Sequence, residues 1–446
     1  MTARGVRALL LGAFAILCVH GLVWDSPTVD EFTHLPVGWF YLKTGDFDLA
    51  ARTPPLVKSL AALPLLVLDP AIDTTKPAAE SAWYPWILGT DFMERNRAVY
   101  DRIFLLGRLP IVALGLLMGI VVSRWARELY GEAGGLTSLA LFAFCPTIVA
   151  HAHLATVDVG AAAFIALALY LFYRYALDPT PLRLLASGVG LGLAQLAKTS
   201  GVLLYPILAA LTLILLVRQW RGGERGGIGM RLGGLAAIVT LSLLVLNAGY
   251  LFQGTGQPLG DFEFQSRFLK RISGALPEWI PMPLPAPYLE GFDGIRLDAE
   301  TGEFPNYLFG RWSREGTPVY YLVTLLYKNP LPFLILALAA PFARLRPRPP
   351  GEVFVALPLA VLLAASSILT DKVNYGIRHI LPVFPFLFIY MGRLAPFVLA
   401  RGRGDEILLD SNLDWGQGLK RLRSYMDREG IDRIGLAYFG HMDPAI

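Results

Sequence analysis

Two acidic residues and a histidine follow the first long apolar segment of the chain. That segment covers residues 6–24, and Asp30, Glu31 and His34 come a few positions later. Acids at the end of a membrane segment are poor anchors, whereas a positioned carboxylate can act as a general base. We interpret this stretch as part of an active site at a membrane surface. The alternative is that both acids are solvated loop residues, or that one caps a helix.

A further acid lies in a later short turn. Asp158 follows His151, His153 and Thr156, and it is predicted to lie on the same side of the membrane as Asp30. It could orient an acceptor or coordinate a metal ion. The alternative is that Thr156 and Asp158 cap the next helix. The two histidines could assist, although such residues are more often ordinary interfacial side chains.

Basic residues near the predicted span ends are candidates for binding a phosphate. Arginine binds phosphate bidentately, whereas lysine acts as a point charge. Lys198 is the most informative because it interrupts apolar sequence, where an ionisable residue indicates a functional site. Its alternative role is snorkelling to the lipid headgroups. The set comprises Arg52, Lys58, Lys198, Arg378 and His379, with weaker claims for Arg108 and Lys328.

The composition indicates a protein that crosses a membrane several times. The 446 residues are 54% hydrophobic and 17% charged, and the mean hydropathy is +0.50. Soluble domains carry about 25% charged residues. Cys18 and Cys145 lie inside apolar segments, which favours packed thiols over a disulfide or a metal site. The sequence has no zinc-finger spacing, P-loop or Rossmann glycine pattern, and we expect no nucleic-acid partner.

The apolar segments predict about ten spans, because a helix needs about 20 apolar residues to cross a bilayer. We expect the fifth and sixth spans to form a tight hairpin around Lys198. The predicted spans lie near residues 6–24, 103–122, 134–150, 159–176, 182–197, 202–217, 232–252, 319–342, 353–369 and 380–400.

The distribution of arginine predicts the orientation. Lysine and arginine near span ends are enriched on the cytoplasmic side, and the turn at 151–156 carries neither. Asp30, Asp158, Lys198 and Arg378 are therefore predicted to share the outer face. The loops assigned to the cytoplasm carry Arg4, Arg7, Arg124, Arg127, Arg174, Arg183, Arg218, Arg221, Arg225, Arg231, Arg344, Arg346 and Arg348.

Two long outer loops and a tail complete the predicted architecture. In the first loop, residues 25–102, the apolar stretch 56–68 is predicted to form an interfacial helix. The second loop, residues 253–318, is rich in proline, glycine and aromatic residues and is predicted to form a folded cover over the site. The fold class is thus an all-α polytopic membrane protein, with residues 1–403 as the membrane module.

The tail, residues 404–446, differs in kind from the membrane module. Residues 406–409 and 434–439 are predicted strands, and 416–429 is a predicted helix with one apolar stripe. Such a β-α-β fragment is too small to be stable alone. We expect it to be part of a truncated α/β domain.

Several short motifs occur in a fixed order on one predicted side of the membrane. They are Asp30-Glu31, Thr44-Gly45-Asp46, Pro54-Pro55-Leu56 and the segments 152–158, 192–198 and 376–382. In these motifs the chain resembles the polyprenyl-phosphate-sugar-dependent glycosyltransferases of the C-type (GT-C) superfamily. The nearer relatives are the protein O-mannosyltransferases and the lipid A aminoarabinose transferases.

The tail also resembles this group, in the motif of bacterial members at residues 410–417. It departs from the family pattern in two respects. Family members usually carry this motif on the outer face, whereas ten spans from a cytoplasmic N-terminus would place it inside. Relatives also continue beyond the position that corresponds to Ile446.

The resemblance implies inverting transfer of a sugar from an undecaprenyl- or dolichyl-type phosphate to a protein hydroxyl, a lipid or a glycan. The reaction would occur on the periplasmic or extracellular face of the cytoplasmic membrane. Asp30 would be the base, Glu31 would support it or hold a metal, and Asp158 would be a second carboxylate. The cations would stabilise the leaving phosphate. A divalent metal (Mg, Mn or Zn) stays open, with Asp30, Asp158 and His153 as candidate ligands.

Two other function classes remain. A transporter or flippase of lipid-linked sugars would also place charges among its spans, but transporters favour inverted repeats and broken helices at the midplane. The sequence shows no internal repeat, and its acids lie near span ends. A non-catalytic assembly protein could use the outer loops as a docking face, and loss of sugar transfer on changing Asp30 would distinguish the enzyme from it.

Overall fold

The computed structural model describes residues 2–75, 84–222, 227–302, 305–343, 345, 349–368, 372–395, 425–428 and 430. Residues 425–428 are helical. The predicted strands at 406–409 and 434–439, the rest of the predicted helix at 416–429 and the motif at 410–417 lie outside the described residues.

Helices make up most of the described secondary structure, which confirms the prediction of an all-α polytopic membrane protein. The α-helices are α1 (Ala3–Trp24), α2 (Glu31–Thr44), α3 (Pro55–Ala62), α4 (Tyr84–Arg95), α5 (Tyr100–Ala143), α6 (Pro146–Ala152), α7 (Val157–Leu177), α8 (Pro181–Ala197), α9 (Leu204–Arg221), α10 (Ile228–Gly249), α11 (Arg267–Ser273), α12 (Ala286–Thr301), α13 (Tyr320–Lys328), α14 (Leu331–Ala339), α15 (Val353–Ile368) and α16 (Phe384–Met391).

Short 3₁₀ helices and one hairpin complete the described elements. The 3₁₀ helices cover Leu63–Val67, Arg97–Val99, Thr199–Leu203, Leu259–Asp261, Ala340–Phe342, Pro350–Glu352, Ile377–Val383 and Gly392–Leu394. The antiparallel strands β1 (Asn306–Leu308) and β2 (Arg311–Ser313) pair with Asn306 opposite Ser313.

Six helical segments of the described chain are long and apolar enough to cross a membrane: 3–24, 97–143, 157–177, 199–221, 228–249 and 377–394. The second contains α5, which reverses direction at Gly131, where φ is +77°. After this reversal the Ser123 hydroxyl donates to the Gly135 carbonyl at 3.2 Å, and Gly119 faces Phe142. α5 therefore contains the predicted span 103–122 and the first part of the predicted span 134–150, whose remainder lies in α6.

Three shorter apolar helices coincide with the remaining predicted spans. They cover residues 181–197, 331–342 and 350–366. The predicted span at 319–342 is broken because α13 ends at Lys328, and the next residue, Asn329, has an extended backbone before Pro330. Proline disfavours the helical conformation of the residue that precedes it. The predicted tight turn at Lys198 is present, since Lys198 follows the end of α8 and a 3₁₀ helix leads into α9. The two helices do not form a packed hairpin, because α8 packs against α7 and α10 instead.

The arginine-rich segments meet at one end of the helix bundle. Arg7 pairs with Glu132, and Arg127 lies 3.5 Å from the same carboxylate. Arg174 donates to Glu128 at 2.7 Å. The start of α1, the reversal of α5 and the end of α7 therefore lie together. The opposite ends of α1 and α7 carry the candidate acids, so the two groups of residues occupy opposite ends of the bundle.

The first outer loop contains more helix than the sequence predicted. The predicted interfacial helix at 56–68 is present as α3 and the following 3₁₀ helix, but α2 and α4 were not predicted. Helix α2 ends at Gly45 in the left-handed conformation (φ +68°), whose N–H donates to the Tyr41 carbonyl at 2.9 Å. Glycine adopts this conformation without a Cβ penalty. At its other end, the start of α2 with Asp30 and Glu31 packs against the bundle.

The second outer loop is folded and packs on the first. The Arg52 guanidinium donates to Asp298 of α12 at 2.9 Å. The Gln253 amide donates to Asp48 at 2.9 Å, and the Tyr288 hydroxyl donates to the Gln195 side chain of α8 at 3.1 Å. These contacts join α12 to the first loop and to the bundle at the end that carries the candidate site.

Candidate active site

Glu31 lies at the start of α2 and is completely buried. Its carboxylate accepts two hydrogen bonds from the Arg108 guanidinium, at 2.7 and 2.9 Å. It also accepts from the backbone N–H groups of Ala155 and Thr28, each at 2.8 Å. Burial raises the pKa of Glu31, but Arg108 and these donors outweigh burial, so the pKa lies below its usual value. Glu31 is therefore held as a carboxylate by protein groups.

Arg108 connects this carboxylate to the end of α1. Its guanidinium donates to the carbonyl oxygens of Leu22 at 3.0 Å, Asp25 at 2.7 Å and Ser26 at 3.1 Å. The planar guanidinium can serve several acceptors at fixed angles. Through Glu31, the same group reaches the turn before α7. This buried network fixes where the chain passes residue 30 relative to α1, α5 and α7.

Asp30 is the most open of the three candidate acids. It forms an ion pair with Arg378 of the 3₁₀ helix Ile377–Val383. The Asp30 side chain is 16% exposed and that of Arg378 is 25% exposed, whereas Glu31 is fully covered. Asp30 precedes α2, yet its side chain makes no capping bond to the helix. An acceptor could reach this carboxylate without disturbing the buried network.

Asp158 and Lys198 form the second acid–cation pair. The Lys198 ammonium donates to the Asp158 carboxylate at 2.6 Å, and both side chains are largely buried. Asp158 lies in the first turn of α7, and Lys198 ends α8. Each charge is favourable at its helix end because the helix dipole is positive at the N-terminus and negative at the C-terminus.

His34 lies between the two pairs, although the sequence reasoning assigned it no role. Its backbone N–H donates to the Asp30 carbonyl at 2.8 Å. Residues that are four positions apart share one face of a helix. Burial, followed by repulsion from Lys58, lowers the pKa of His34 to about 4, with Asp158 and Lys198 also within electrostatic range. His34 is thus neutral at pH 7. Within the described part of the chain, its Nδ1 atom has no hydrogen-bond partner.

His379 is next to Arg378 and joins the same group. Its ring stacks on Tyr375 at 4.7 Å between centroids and faces Tyr321 at 6.2 Å. It interacts electrostatically with Lys198, Asp158 and Arg378. The structure therefore brings together Asp30, Asp158, Lys198, Arg378 and His379, which the sequence singled out from four separate segments.

Lys58 and Arg52 contact other protein groups. The Lys58 ammonium is buried and donates to the Tyr41 hydroxyl at 2.9 Å and to the Ala50 carbonyl at 3.2 Å. Arg52 binds Asp298. Lys58 remains within electrostatic range of His34, whereas the described contacts of Arg52 link the two outer loops.

The residues named as metal ligands do not form a preformed site. Within the described residues, no three side chains of His, Cys, Asp or Glu converge. The His153 ring contacts Asp25 at 3.0 Å and the Val149 carbonyl at 2.7 Å, while Asp158 binds Lys198. The donor set does not fit a divalent ion, and we derive no step through a metal.

Two contributors were undervalued in the sequence. His34 was named with the two acids but given no specific role, which its spacing of four residues after Asp30 supplies once α2 is recognised as a helix. Arg108 had only a weak claim, although a charged residue inside an apolar span needs a partner. Its partner Glu31 lies in a different segment, and the sequence does not reveal this pairing.

The arrangement offers a carboxylate beside several cations at the end of a membrane bundle. A carboxylate can accept a proton from a hydroxyl, and clustered cations bind phosphate through charged hydrogen bonds.

A family model agrees with part of the chain. The model described as "Dolichyl-phosphate-mannose-protein mannosyltransferase" matches residues 101–246, which extend from α5 to α10. No protein of curated function matches the chain by sequence.

Solved structures agree in fold over most of the chain. The crystal structure of ArnT from Cupriavidus metallidurans bound to undecaprenyl phosphate has a TM-score of 0.58 and 17% identity, covering 96% of this chain and 64% of that one. Its apo state gives 0.56 and 17%, covering 90% and 62%. Archaeal oligosaccharyltransferase AglB from Archaeoglobus fulgidus, in complex with an inhibitory peptide and a dolichol-phosphate, gives 0.50 and 12%, covering 94% and 54%.

The present chain thus spans less than two thirds of the length of each of these proteins. At these identities the likeness concerns the fold. The fold that the resemblance implied is confirmed.

Proposed function

We propose that this protein transfers a sugar, with inversion, from a polyprenyl phosphate carrier to an acceptor hydroxyl. The acceptor is a protein, a lipid or a glycan, and the reaction occurs on the outer face of the cytoplasmic membrane. The observation that carries the proposal is the partly open pair of Asp30 and Arg378 beside the buried pair of Asp158 and Lys198.

In this mechanism Asp30 is the base. The acceptor oxygen attacks the anomeric carbon of the sugar while the Asp30 carboxylate accepts the hydroxyl proton. The bond from the anomeric carbon to the phosphate oxygen breaks, and the polyprenyl phosphate leaves with the bonding electrons. A single displacement of this kind inverts the anomeric configuration.

The cations hold the phosphate that leaves. Arg378 and Lys198 lie at the same end of the bundle as Asp30, and His379 adds a ring N–H next to Arg378. Positive charge aimed at the oxygen where negative charge develops lowers the barrier. Arg378 has a double role, since it also pairs with the Asp30 carboxylate before the acceptor arrives.

Glu31 and Asp158 have supporting roles. The buried Glu31 accepts bonds from Arg108 and from the backbone, so it positions Asp30 and does not receive the proton. Asp158 orients Lys198 toward the phosphate through their 2.6 Å contact. His34, neutral at pH 7 and one helical turn from Asp30, is suited to contact a hydroxyl of the sugar or the acceptor.

The comparisons support the class of donor. The structure of ArnT is bound to undecaprenyl phosphate and that of AglB is in complex with a dolichol-phosphate, and both share the fold of this chain. The matched family model is described by a dolichyl-phosphate sugar. The acids and cations that lie together at one end of the bundle favour a lipid phosphate as the ligand that this chain shares with those proteins.

The proposed transfer of a sugar is tested in cells. Polyprenyl-linked sugars, envelope lipids and exported proteins are compared by mass spectrometry between cells with the wild-type protein, the Asp30→Asn variant and no protein. We expect Asp30→Asn to match the deletion, with one polyprenyl-phosphate sugar accumulating and its conjugate lost.

The matched control is Asp69→Asn, an exposed acid of the same outer loop that pairs with Lys43. It should leave the conjugates unchanged. If Asp30→Asn restores the conjugates as fully as the wild type does, the transferase proposal is wrong. If the protein were a flippase, its deletion would instead change the side of the membrane on which the lipid-linked sugar is found.

A further inference from the structure

The β1–β2 hairpin presents an aromatic face away from the protein. Tyr307 and Trp312 are opposite each other in the register, and their ring centroids lie 5.0 Å apart. Both side chains are exposed, Trp312 to 71%. Side chains alternate across a strand, so Asn306 and Ser313 lie on the other face. The hairpin is therefore two-sided, with one aromatic face uncovered.

The tip of the hairpin carries a phenylalanine in an unfavourable conformation. Phe309 has φ +50° and Gly310 has φ +80°. A two-residue turn with two positive φ values normally contains Asn-Gly or Gly-Gly, and a bulky residue in this region is an outlier. Phe309 is also 68% exposed. No contact within the hairpin compensates for the strained backbone of Phe309 or for the exposure of its ring.

Phe309 joins the hairpin to an apolar surface of the bundle. Its ring meets that of Tyr327 on α13 at 6.2 Å. Helices α13 and α14 expose a row of large apolar side chains that runs on from Tyr327: Leu322, Leu326, Leu331, Ile335 and Leu338. A helix in a membrane protein exposes such a row to lipid tails. The aromatic face of the hairpin is continuous with this row at its outer end.

We propose that the aromatic face of the hairpin docks into the headgroup region of the bilayer leaflet on the side of the active site. Tyr307, Phe309 and Trp312 would sit at the boundary between lipid tails and headgroups, where amphipathic rings are enriched. Arg314 is exposed two residues after Trp312 and would bind a lipid phosphate. The partner is a phospholipid surface.

The opposite face of the hairpin is tied to the segment that leads to the site. The Asn306 amide donates to the Lys372 carbonyl at 2.5 Å and accepts from the Asn374 N–H at 2.7 Å. Asn374 precedes Arg378 by four residues. The hairpin therefore connects the leaflet surface to the segment that leads to Arg378. The docking inference rests on exposure and strain and is independent of the proposed reaction.

Single fluorescent labels test the docking. Cys18 and Cys145 are buried, so a cysteine introduced at an exposed position is labelled selectively. Phe309→Cys and Trp312→Cys are labelled with bimane, and the matched control is Ser313→Cys on the other face of the same strand. Each full-length protein is reconstituted in vesicles of 70% phosphatidylcholine and 30% phosphatidylglycerol, about one tenth of the former carrying a shallow doxyl group.

We expect the doxyl lipid to quench positions 309 and 312 at least about twofold more than position 313, and aqueous iodide to show the reverse order. Quenching of all three labels by iodide alone would overturn the proposal. Protection from both quenchers, together with cross-linked dimers, would assign the face to a second copy and also overturn it. As a further check, Phe309→Asn is combined with Trp312→Cys. Asparagine relieves the turn strain, so a loss of lipid quenching at position 312 in this double variant would reflect lost docking.

Discussion

The Asp30 carboxylate and the Arg378 guanidinium form an ion pair that joins the first and last described parts of the membrane bundle. One partner precedes α2, and the other lies in the 3₁₀ helix before α16. The pair is partly open, whereas the pair of Glu31 and Arg108 next to it is closed. Adjacent acids in the sequence thus have different environments, and the following predictions separate their roles.

Asp30→Asn is expected to retain expression and donor binding but to lose at least about a hundredfold in transfer rate. General-base catalysis contributes about 10²–10⁴-fold, and the amide keeps the shape without the basicity. The rate is measured with purified protein in nanodiscs. Normal turnover of Asp30→Asn together with an inactive Asp158→Asn would make Asp158 the base.

Glu31→Gln is expected to lower stability as well as rate, in contrast to Asp30→Asn. Breaking a buried ion pair costs about 3–5 kcal/mol, so thermal unfolding in detergent should shift to lower temperature. The lowered pKa of Glu31 means that its contribution is complete above the usual carboxyl pKa and is lost as the pH falls through the lowered value. The difference between wild type and Glu31→Gln should therefore shrink in acid. A constant difference from pH 7 to pH 3 would contradict this account.

Arg378→Ala and Lys198→Ala are expected to weaken donor binding about ten- to a hundredfold, because a charged hydrogen bond contributes about 1.5–3 kcal/mol. Binding of undecaprenyl phosphate to the protein in nanodiscs is the measurement. Arg124→Ala, at the opposite end of the bundle and more than half exposed, is the control. Wild-type affinity in both site variants would show that other cations hold the phosphate.

The orientation can be tested at exposed positions of the two bundle ends. Thr44→Cys lies at the end of α2, in the loop that carries Asp30, and Arg124→Cys lies near the reversal of α5. An impermeant maleimide added to intact cells should label position 44, and position 124 should react only after permeabilisation. The reverse pattern would place the site in the cytoplasm.

The sequence predicted the spans well because each is a local pattern of apolar residues. The site acids and cations were also recognisable, since an ionisable residue among apolar ones is conspicuous wherever it lies. Pairing was not predictable in the same way. Nothing local indicates that Glu31 binds Arg108, or that Arg52 meets Asp298 of the other loop. Such contacts depend on packing between segments that are distant in sequence.

Local structure inside the outer loops was also missed. α2 contains Pro36, and its stretch 35–42 is apolar on all sides, so its sequence shows no amphipathic period. It is helical because both faces pack against other parts of the chain, including Lys58 beside Gly38. The family resemblance supplied the role that is proposed for Asp30, and the structure showed how His34 lies one helical turn after it.

The contacts at the start of α2 have a fixed order in biosynthesis. Glu31 meets Arg108, 77 residues later, and Ala155, 124 residues later. Arg52 meets Asp298 after 246 residues, and Asp30 meets Arg378 only with the last described span. Because chains emerge from the ribosome N-terminus first, the buried support is available for assembly long before the reactive pair. Under the proposed mechanism, a nascent chain that is still being inserted would hold Asp30 in place yet lack Arg378, so it would stay inactive until the span at residues 377–394 had entered the membrane.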